Sequence, residues 1–328
     1  MFEHIQWTCI RTIVDLSLYI RRSSWISPKT QPDCVKTYHP SRPNLFQCRI
    51  FLPHDHDGKR LLPLVMRIHG GGFLLNNPAV DDPIARHLAD HAQCVVVSID
   101  YSKAPQNKFP AAYEDVVEQA LKIIDDPDLP LDRSRVVLCG ASAGGNLVLA
   151  AAQDPRLRSA IAGVVAVYAL VDQVPEGKAK MATRPDPSVP DFMGDSYDGM
   201  SDLWFDKANK PALTDVRVSP TYFASRDSLP PHVLFIGAEH DMFCQEAETM
   251  ADKLAGSETK VDAEGGWQAP GVRWYRVPNQ AHAFDQFPAK DPEREKERPA
   301  AVDAMNSVIV EFLGEVLSPK TAEDLKPS

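Results

Sequence analysis

Six short apolar runs, each followed by a stretch of helical character, narrow the folds open to this chain more than any other feature. They are LPLVMRIHG at 62–70, CVVVSIDY at 94–101, RVVLCG at 135–140, AGVVAVYA at 162–169, HVLFIGA at 232–238 and VRWYRV at 272–277. Nearly continuous Val, Ile and Leu marks strands covered on both faces, as in a parallel sheet with helices on either side. The alternation predicts an α/β fold with a mostly parallel central sheet flanked by helices. FQCRIFL at 46–52 reads as an earlier strand, antiparallel and at an edge. A length of 328 residues fits one large α/β domain with decorations.

The rhythm stops over 172–222, where a Pro-, Asp- and Met-containing segment precedes the next strand. So long a stretch without strand character reads as an insertion. It is expected to emerge near the carboxyl ends of the strands, where α/β proteins bind ligands. Four regions follow: N-terminal cap helices and an edge segment in 1–45, a core made of 46–171 and 223–318, the cap insertion 172–222, and a flexible tail, 319–328. SETKVDAEGGWQAPG at 257–271 reads as a surface loop before the last strand.

Composition excludes several functions. The formal net charge is -10 and no Lys/Arg run dominates any segment, which argues against nucleic acid as a partner and favours a neutral small molecule. Six cysteines occur singly, without CxxC pairs or metal-ligand spacing, and read as reduced thiols with no metal or organic cofactor to hold. The apolar stretch at 5–20 is interrupted by Arg11 and Asp15 and has no basic leader or cleavage site. It predicts an amphipathic helix lying on the protein's own surface through Ile5, Ile10, Ile13, Leu16, Leu18 and Tyr19, not a membrane span. A cytoplasmic protein is expected, and a homodimer is left open.

The chemistry concentrates at the ends of the predicted strands. Gly140-Ala141-Ser142-Ala143-Gly144-Gly145 follows RVVLC directly and opens the helical run NLVLAAA. That is the strand–turn–helix setting of a G-x-S-x-G nucleophile elbow, where a strained turn exposes the serine and its neighbours must be tiny. A serine in this position could also simply cap a helix. His69-Gly70-Gly71-Gly72-Phe73 follows another strand, and three consecutive glycines exceed what a turn requires. They offer bare amides, and Gly71, Gly72 and Ala143 would stabilise the oxyanion formed in acyl transfer. His69 reads as an organiser of this loop. After later strands come Glu239 and Asp241, two candidate acids, and then His282, a candidate base. Serine, acid and histidine in that order, each after a strand, is the order expected of a hydrolase built on this sheet.

On these motifs the chain resembles the hormone-sensitive-lipase-like, HGGG-type branch of the α/β-hydrolase fold, which includes arylacetamide deacetylases, microbial esterases and plant carboxylesterases. The matching segments are HGGGF at 69–73, IDYSKAPQNKFPAAYED at 99–115, GASAGGN at 140–146, GAEHDMF at 237–243 and AHAF at 281–284. The resemblance implies a triad of Ser142, Asp241 and His282, with Asp241 preferred over Glu239. It also implies an oxyanion hole from Gly71, Gly72 and Ala143, and a cap made of the N-terminal helices and 172–222. Two departures stand out. Relatives usually read Y-R-L-A-P-E-H where this chain has Tyr101-Ser102-Lys103-Ala104-Pro105-Gln106-Asn107, and the interval between Asp241 and His282 is longer than usual.

The expected activity is hydrolysis of a small-molecule carboxylic ester through an acyl-enzyme on Ser142. Candidate pocket residues are Phe73, Phe192, Met193, Tyr197, Met200, Trp204 and Phe205. The same groups could deacylate an amide or pass an acyl group to an alcohol. Some members of the fold promote eliminations or cyclisations in biosynthetic pathways, and others are non-catalytic receptors. A receptor is the poorer fit because the histidine is present.

Overall fold

A computed structural model of the chain describes residues 2–22, 27–38, 46–191, 193–206 and 211–318. Side-chain alternation along its central strands sorts the core into two layers. In β3 (Leu62–Ile68), Leu64, Met66 and Ile68 belong to one layer and Val65 to the other. β4 (Val95–Ile99), β5 (Leu131–Ala141) and β7 (His232–Ala238) repeat the period, as the pleat requires. The first layer is closed by α3 (Ala111–Ile124), α4 (Ala143–Ala151) and α7 (Cys244–Ala255). The second is closed by α2 (Asp82–Ala92) and α8 (Pro292–Val316), which pack on each other. Strands buried on both faces are why the runs read as continuously apolar in the sequence.

Completing the sheet are β1 (Cys34–Tyr38), β2 (Phe46–Phe51), β6 (Gly163–Val167), β8 (Val261–Ala263), β9 (Gly266–Ala269) and β10 (Val272–Val277). The order is β1-β2-β4-β3-β5-β6-β7-β10-β9-β8. From β4 to β10 every neighbouring pair is parallel, and the pairs outside them are antiparallel. The mostly parallel sheet expected from the sequence is therefore present.

Three expectations need correction. β2 is antiparallel but not at the edge, because β1 pairs outside it. β1 carries no apolar run, since only Tyr38 of its side chains is buried, so its sequence gives no strand signal. The segment 257–271 is not a plain loop. β8 and β9 form a hairpin on β10, turning at Glu264-Gly265, where Gly265 has φ +73°, a backbone conformation suited to a two-residue turn.

The third correction concerns α1 (Phe2–Arg21). Leu18 is buried and Trp7 packs on the core, but Ile13, Leu16 and Tyr19 are exposed. The charges that interrupt the apolar stretch are what fasten the helix. Arg11 donates to the carbonyls of Leu74 at 3.1 Å and Ala104 at 2.6 Å, and Asp15 accepts from Asn77 at 2.9 Å. Among the described residues no helix is long and apolar enough to cross a membrane. The tail from 319 onward lies outside the described residues.

The insertion over 172–222 contains α5 (Gly177–Met181) and α6 (Tyr197–Trp204) and, among its described residues, no strand. Lys180 of α5 is buried and pairs with Glu246 of α7, which fixes the insertion to the core. The six cysteines are free, with Cys48, Cys94, Cys139 and Cys244 buried and Cys9 and Cys34 exposed.

Candidate active site

Ser142 stands between the end of β5 and the start of α4 with φ 55° and ψ -120°, a conformation that L residues rarely adopt. Its backbone N–H donates to Val167 on the neighbouring strand at 2.9 Å, so the turn is held by the sheet itself. The glycines around it have no room for a side chain. A Cβ on Gly140 would lie 2.2 Å from the Gly144 carbonyl oxygen, and one on Gly144 would lie 2.1 Å from that of Ile68. Gly144→Ala is accordingly expected to push the serine off its position. The overpacking should reduce stability by about 1–3 kcal/mol, and misplacing the serine by even ~1 Å should lower turnover about a hundredfold. Thermal melts and kinetics on the variant check both.

Asn146, in the first turn of α4, donates to the carbonyls of Leu170 at 3.0 Å and Val218 at 2.9 Å. Leu170 lies just before the insertion and Val218 near its end, so one side chain ties both ends of it to the elbow.

The serine, the histidine and one of the two candidate acids are brought together. Ser142 Oγ is 2.9 Å from His282 Nε2, and His282 Nδ1 is 2.7 Å from Asp241 Oδ2. The other oxygen of Asp241 accepts from the Phe243 amide at 2.9 Å. Glu239 is directed elsewhere, its carboxylate accepting from the Asn279 amide at 2.7 Å. All three members of the line are buried. Burial alone would lower the His282 pKa, but the Asp241 carboxylate outweighs it, and the ring sits above the ordinary histidine value. A hydroxyl bonded to an imidazole that is itself held by a buried carboxylate can lose its proton to the ring.

The glycine loop lies against this line. Gly70 approaches the elbow so closely that a Cβ on it would be 3.2 Å from that of Ser142. Gly71 and Gly72 have φ of +130° and +59°, and a Cβ on Gly71 would come within 2.3 Å of the Leu75 carbonyl oxygen. The Gly71 carbonyl is turned into the loop, accepting from the Leu74 and Leu75 amides at 3.1 and 2.9 Å. Among the described residues the amides of Gly71, Gly72 and Ala143 have no acceptor, so they are available to an anion.

His69 serves the loop. It contacts the Gly70 carbonyl through Nδ1 at 2.6 Å and Asp100 through Nε2 at 3.3 Å, and stacks on Tyr101 at 4.5 Å. Lys103 bonds the same Asp100 at 2.6 Å, and Gln106 accepts from Arg11 of α1 at 3.0 Å. The altered 101–107 segment is thus braced by contacts of its own.

A family model described as alpha/beta hydrolase fold matches residues 65–269, well over half of the chain. The chain belongs to the alpha/beta hydrolase fold family. An AB hydrolase superfamily protein of Schizosaccharomyces pombe is 34% identical over 119 residues, covering 36% of this chain and 35% of that protein. The match thus spans about a third of that relative's length. An esterase of the archaeon Pyrobaculum calidifontis is similar in structure, with a TM-score of 0.73 and 26% identity over 94% of this chain and 93% of its own. EstE1, a thermophilic carboxylesterase cloned from a metagenomic library, has a TM-score of 0.70 at 24% identity, covering 95% of this chain and 98% of its own. At that identity the second likeness is one of fold.

In this alpha/beta hydrolase a cavity of about 360 Å³ opens on Ser142 and His282. Met193 and Met200 line it, and Met200 lies so close over the glycine loop that its Cε would be 2.2 Å from a Cβ on Gly72. Four of the expected pocket residues do not line it. Phe73 is buried face to face on Trp204 at 3.7 Å, Phe205 packs on the same indole, and Tyr197 donates to Gln173 at 2.9 Å. Aromatic rings that pack on one another gain from the pairing beyond the area they bury. Phe192 lies outside the described residues.

Tyr168 and Asp191 are two contributors that the sequence did not single out. Tyr168 lines the cavity and meets the His282 ring edge-on at 5.0 Å, its hydroxyl fixed to Asp285 at 2.6 Å. It is the last residue but one of the run AGVVAVYA, so its place after a central strand was the available signal. Asp191 accepts from the Met242 amide at 3.0 Å and the Met193 amide at 2.8 Å, joining the insertion to the loop that carries Asp241. One side of α1 lines the cavity as well. Among the described residues no group of His, Cys, Asp and Glu could hold a metal ion.

Proposed function

We propose that the chain hydrolyses a carboxylic ester of a small molecule through an acyl-enzyme on Ser142. The single observation that carries this reading is the continuous line from Ser142 Oγ through the two nitrogens of His282 to Asp241, at 2.9 and 2.7 Å. His282 takes the hydroxyl proton as Ser142 attacks the carbonyl carbon, and Asp241 stabilises the imidazolium that results. The oxyanion is received by the amides of Gly71, Gly72 and Ala143. His282 returns its proton to the leaving alkoxide, which departs, and then activates the water that releases the acid. Residues 172–222 and α1 act as the cap of this core and form the wall that selects the substrate. The likeness to the Pyrobaculum esterase over nearly the whole chain supports an ester as the substrate.

The pH–rate profile tests the role of His282. Only the neutral ring accepts the proton, and its pKa is raised chiefly by Asp241 acting against burial. On p-nitrophenyl butyrate, kcat/KM is therefore expected to rise with pH and level off only above the ordinary histidine value of about 6.5. A profile flat from acid to neutral pH contradicts the assignment.

A further inference from the structure

The part of α1 that lines the cavity consists of Ile13, Val14, Ser17, Leu18, Arg21 and Arg22. That spacing is a single helical face, and at 1.5 Å per residue it runs about 13 Å from one end to the other. Its chemistry changes along the way. The first turns are mostly aliphatic, and the last brings two arginines, Arg21 and Arg22, into the wall. No Asp or Glu lines the cavity among the described residues.

Arg22 also forms part of the wall of a second cleft, and the carboxylates near it are already engaged. On the cleft side Asp15 accepts from Asn77 at 2.9 Å and Asp100 from Lys103 at 2.6 Å. Asp82 is gripped by both arms of Arg49 at 2.6 and 2.7 Å, and Asp81 by Arg67 at 3.2 Å. What Arg22 itself holds is the Val80 carbonyl at a long 3.4 Å, and its buried Nε–H has no partner. Burial lowers its pKa and Asp82 only partly opposes this, yet an arginine stays charged at any ordinary pH. The helix dipole favours cations at this end but satisfies none of their N–H groups. A guanidinium fork matches the edge of a carboxylate, with two parallel hydrogen bonds.

We propose that the ester taken by this site carries a carboxylate as well as an apolar body, and that Arg21 and Arg22 receive the carboxylate. This rests on the ester-hydrolase reading above. It identifies the substrates as acidic amphipathic esters: half-esters of dicarboxylic acids if the anion is on the acyl side, acylated hydroxy acids if it is on the alcohol side.

Two matched pairs of substrates separate these arrangements. On the acyl side mono-p-nitrophenyl suberate is compared with p-nitrophenyl octanoate, and on the alcohol side p-acetoxycinnamate with its methyl ester. The expected result is a charged-to-neutral ratio of kcat/KM that falls at least about tenfold in Arg21→Gln/Arg22→Gln for one of the pairs, the size of a lost charge-assisted hydrogen bond. Arg21→Lys/Arg22→Lys should fall between the two, keeping charge without the fork. Free suberate binding, measured by calorimetry, is expected to weaken by a similar factor in the Gln variant. Ratios unchanged for both pairs, together with suberate binding equal in all three proteins, overturn the proposal. Because the calorimetry does not depend on turnover, loss of suberate binding in the Gln variant supports the anion site even if none of the esters is hydrolysed, in which case only the hydrolase reading falls.

Discussion

Replacing Ser142 by alanine is expected to lower kcat on p-nitrophenyl butyrate by about six orders of magnitude, leaving only what binding and the amides of the glycine loop can do alone. The size of the effect follows from how the serine is held. Its φ of 55° is maintained by the Val167 carbonyl and by glycines that leave no space for relaxation, so no other group can take its place. Strain of this kind is worth on the order of 1–3 kcal/mol and persists because the surrounding structure over-determines it. The variant should therefore fold at least as well as the parent while losing activity. A melting temperature unchanged or raised, with product formation near background, is the expected pair of readings. A loss of activity that tracks a loss of folding would instead make Ser142 a structural residue.

The second large effect is expected at Asp241. Its carboxylate does two things for His282: it fixes the tautomer that leaves Nε2 free to accept from Ser142, and it raises the ring's pKa against burial. Asp241→Asn removes the charge but keeps the shape. The amide can present an N–H to Nδ1 and favour the wrong tautomer, so kcat should fall by roughly four orders of magnitude. The sign of the pH effect is also fixed. Without the charge that raises it, the ring titrates lower, and the acid limb of kcat/KM moves to lower pH. Glu239→Gln is the comparison, because Glu239 bonds the Asn279 amide and not the imidazole. Its loss of kcat should be small.

Much of this was legible in the sequence because the signals were local. A buried parallel strand must be apolar throughout, and β3 through β7 announce themselves in this way. The elbow and the glycine loop are equally local, since Gly71, Gly140 and Gly144 sit where a Cβ would strike backbone a few residues away or on the next strand. Residue type and order alone left Asp241 and Glu239 open and only the resemblance preferred Asp241, for both acids lie in one turn and the backbone decides which faces the ring. The cap was the least legible. Its aromatic residues pack on one another and on the glycine loop, as Trp204 does on Phe205 and Phe73, and it is two methionines of the insertion that line the cavity. α1 was expected in the cap, but which of its sides faces the cavity was hidden for a related reason. An amphipathic pattern says that a helix has two sides, but Arg11 and Asp15, which interrupt the pattern, determine how the helix is rolled and bring Arg22 to the cavity.

The most direct test is to locate the covalent adduct formed with a fluorophosphonate probe. Peptide mass analysis of the labelled wild-type protein is expected to find the phosphonyl group on Ser142 alone, with loss of esterase activity in proportion to labelling, and no label on Ser142→Ala. Labelling that persists in Ser142→Ala, or an adduct on another residue that blocks turnover, would contradict the assignment of Ser142 as the nucleophile.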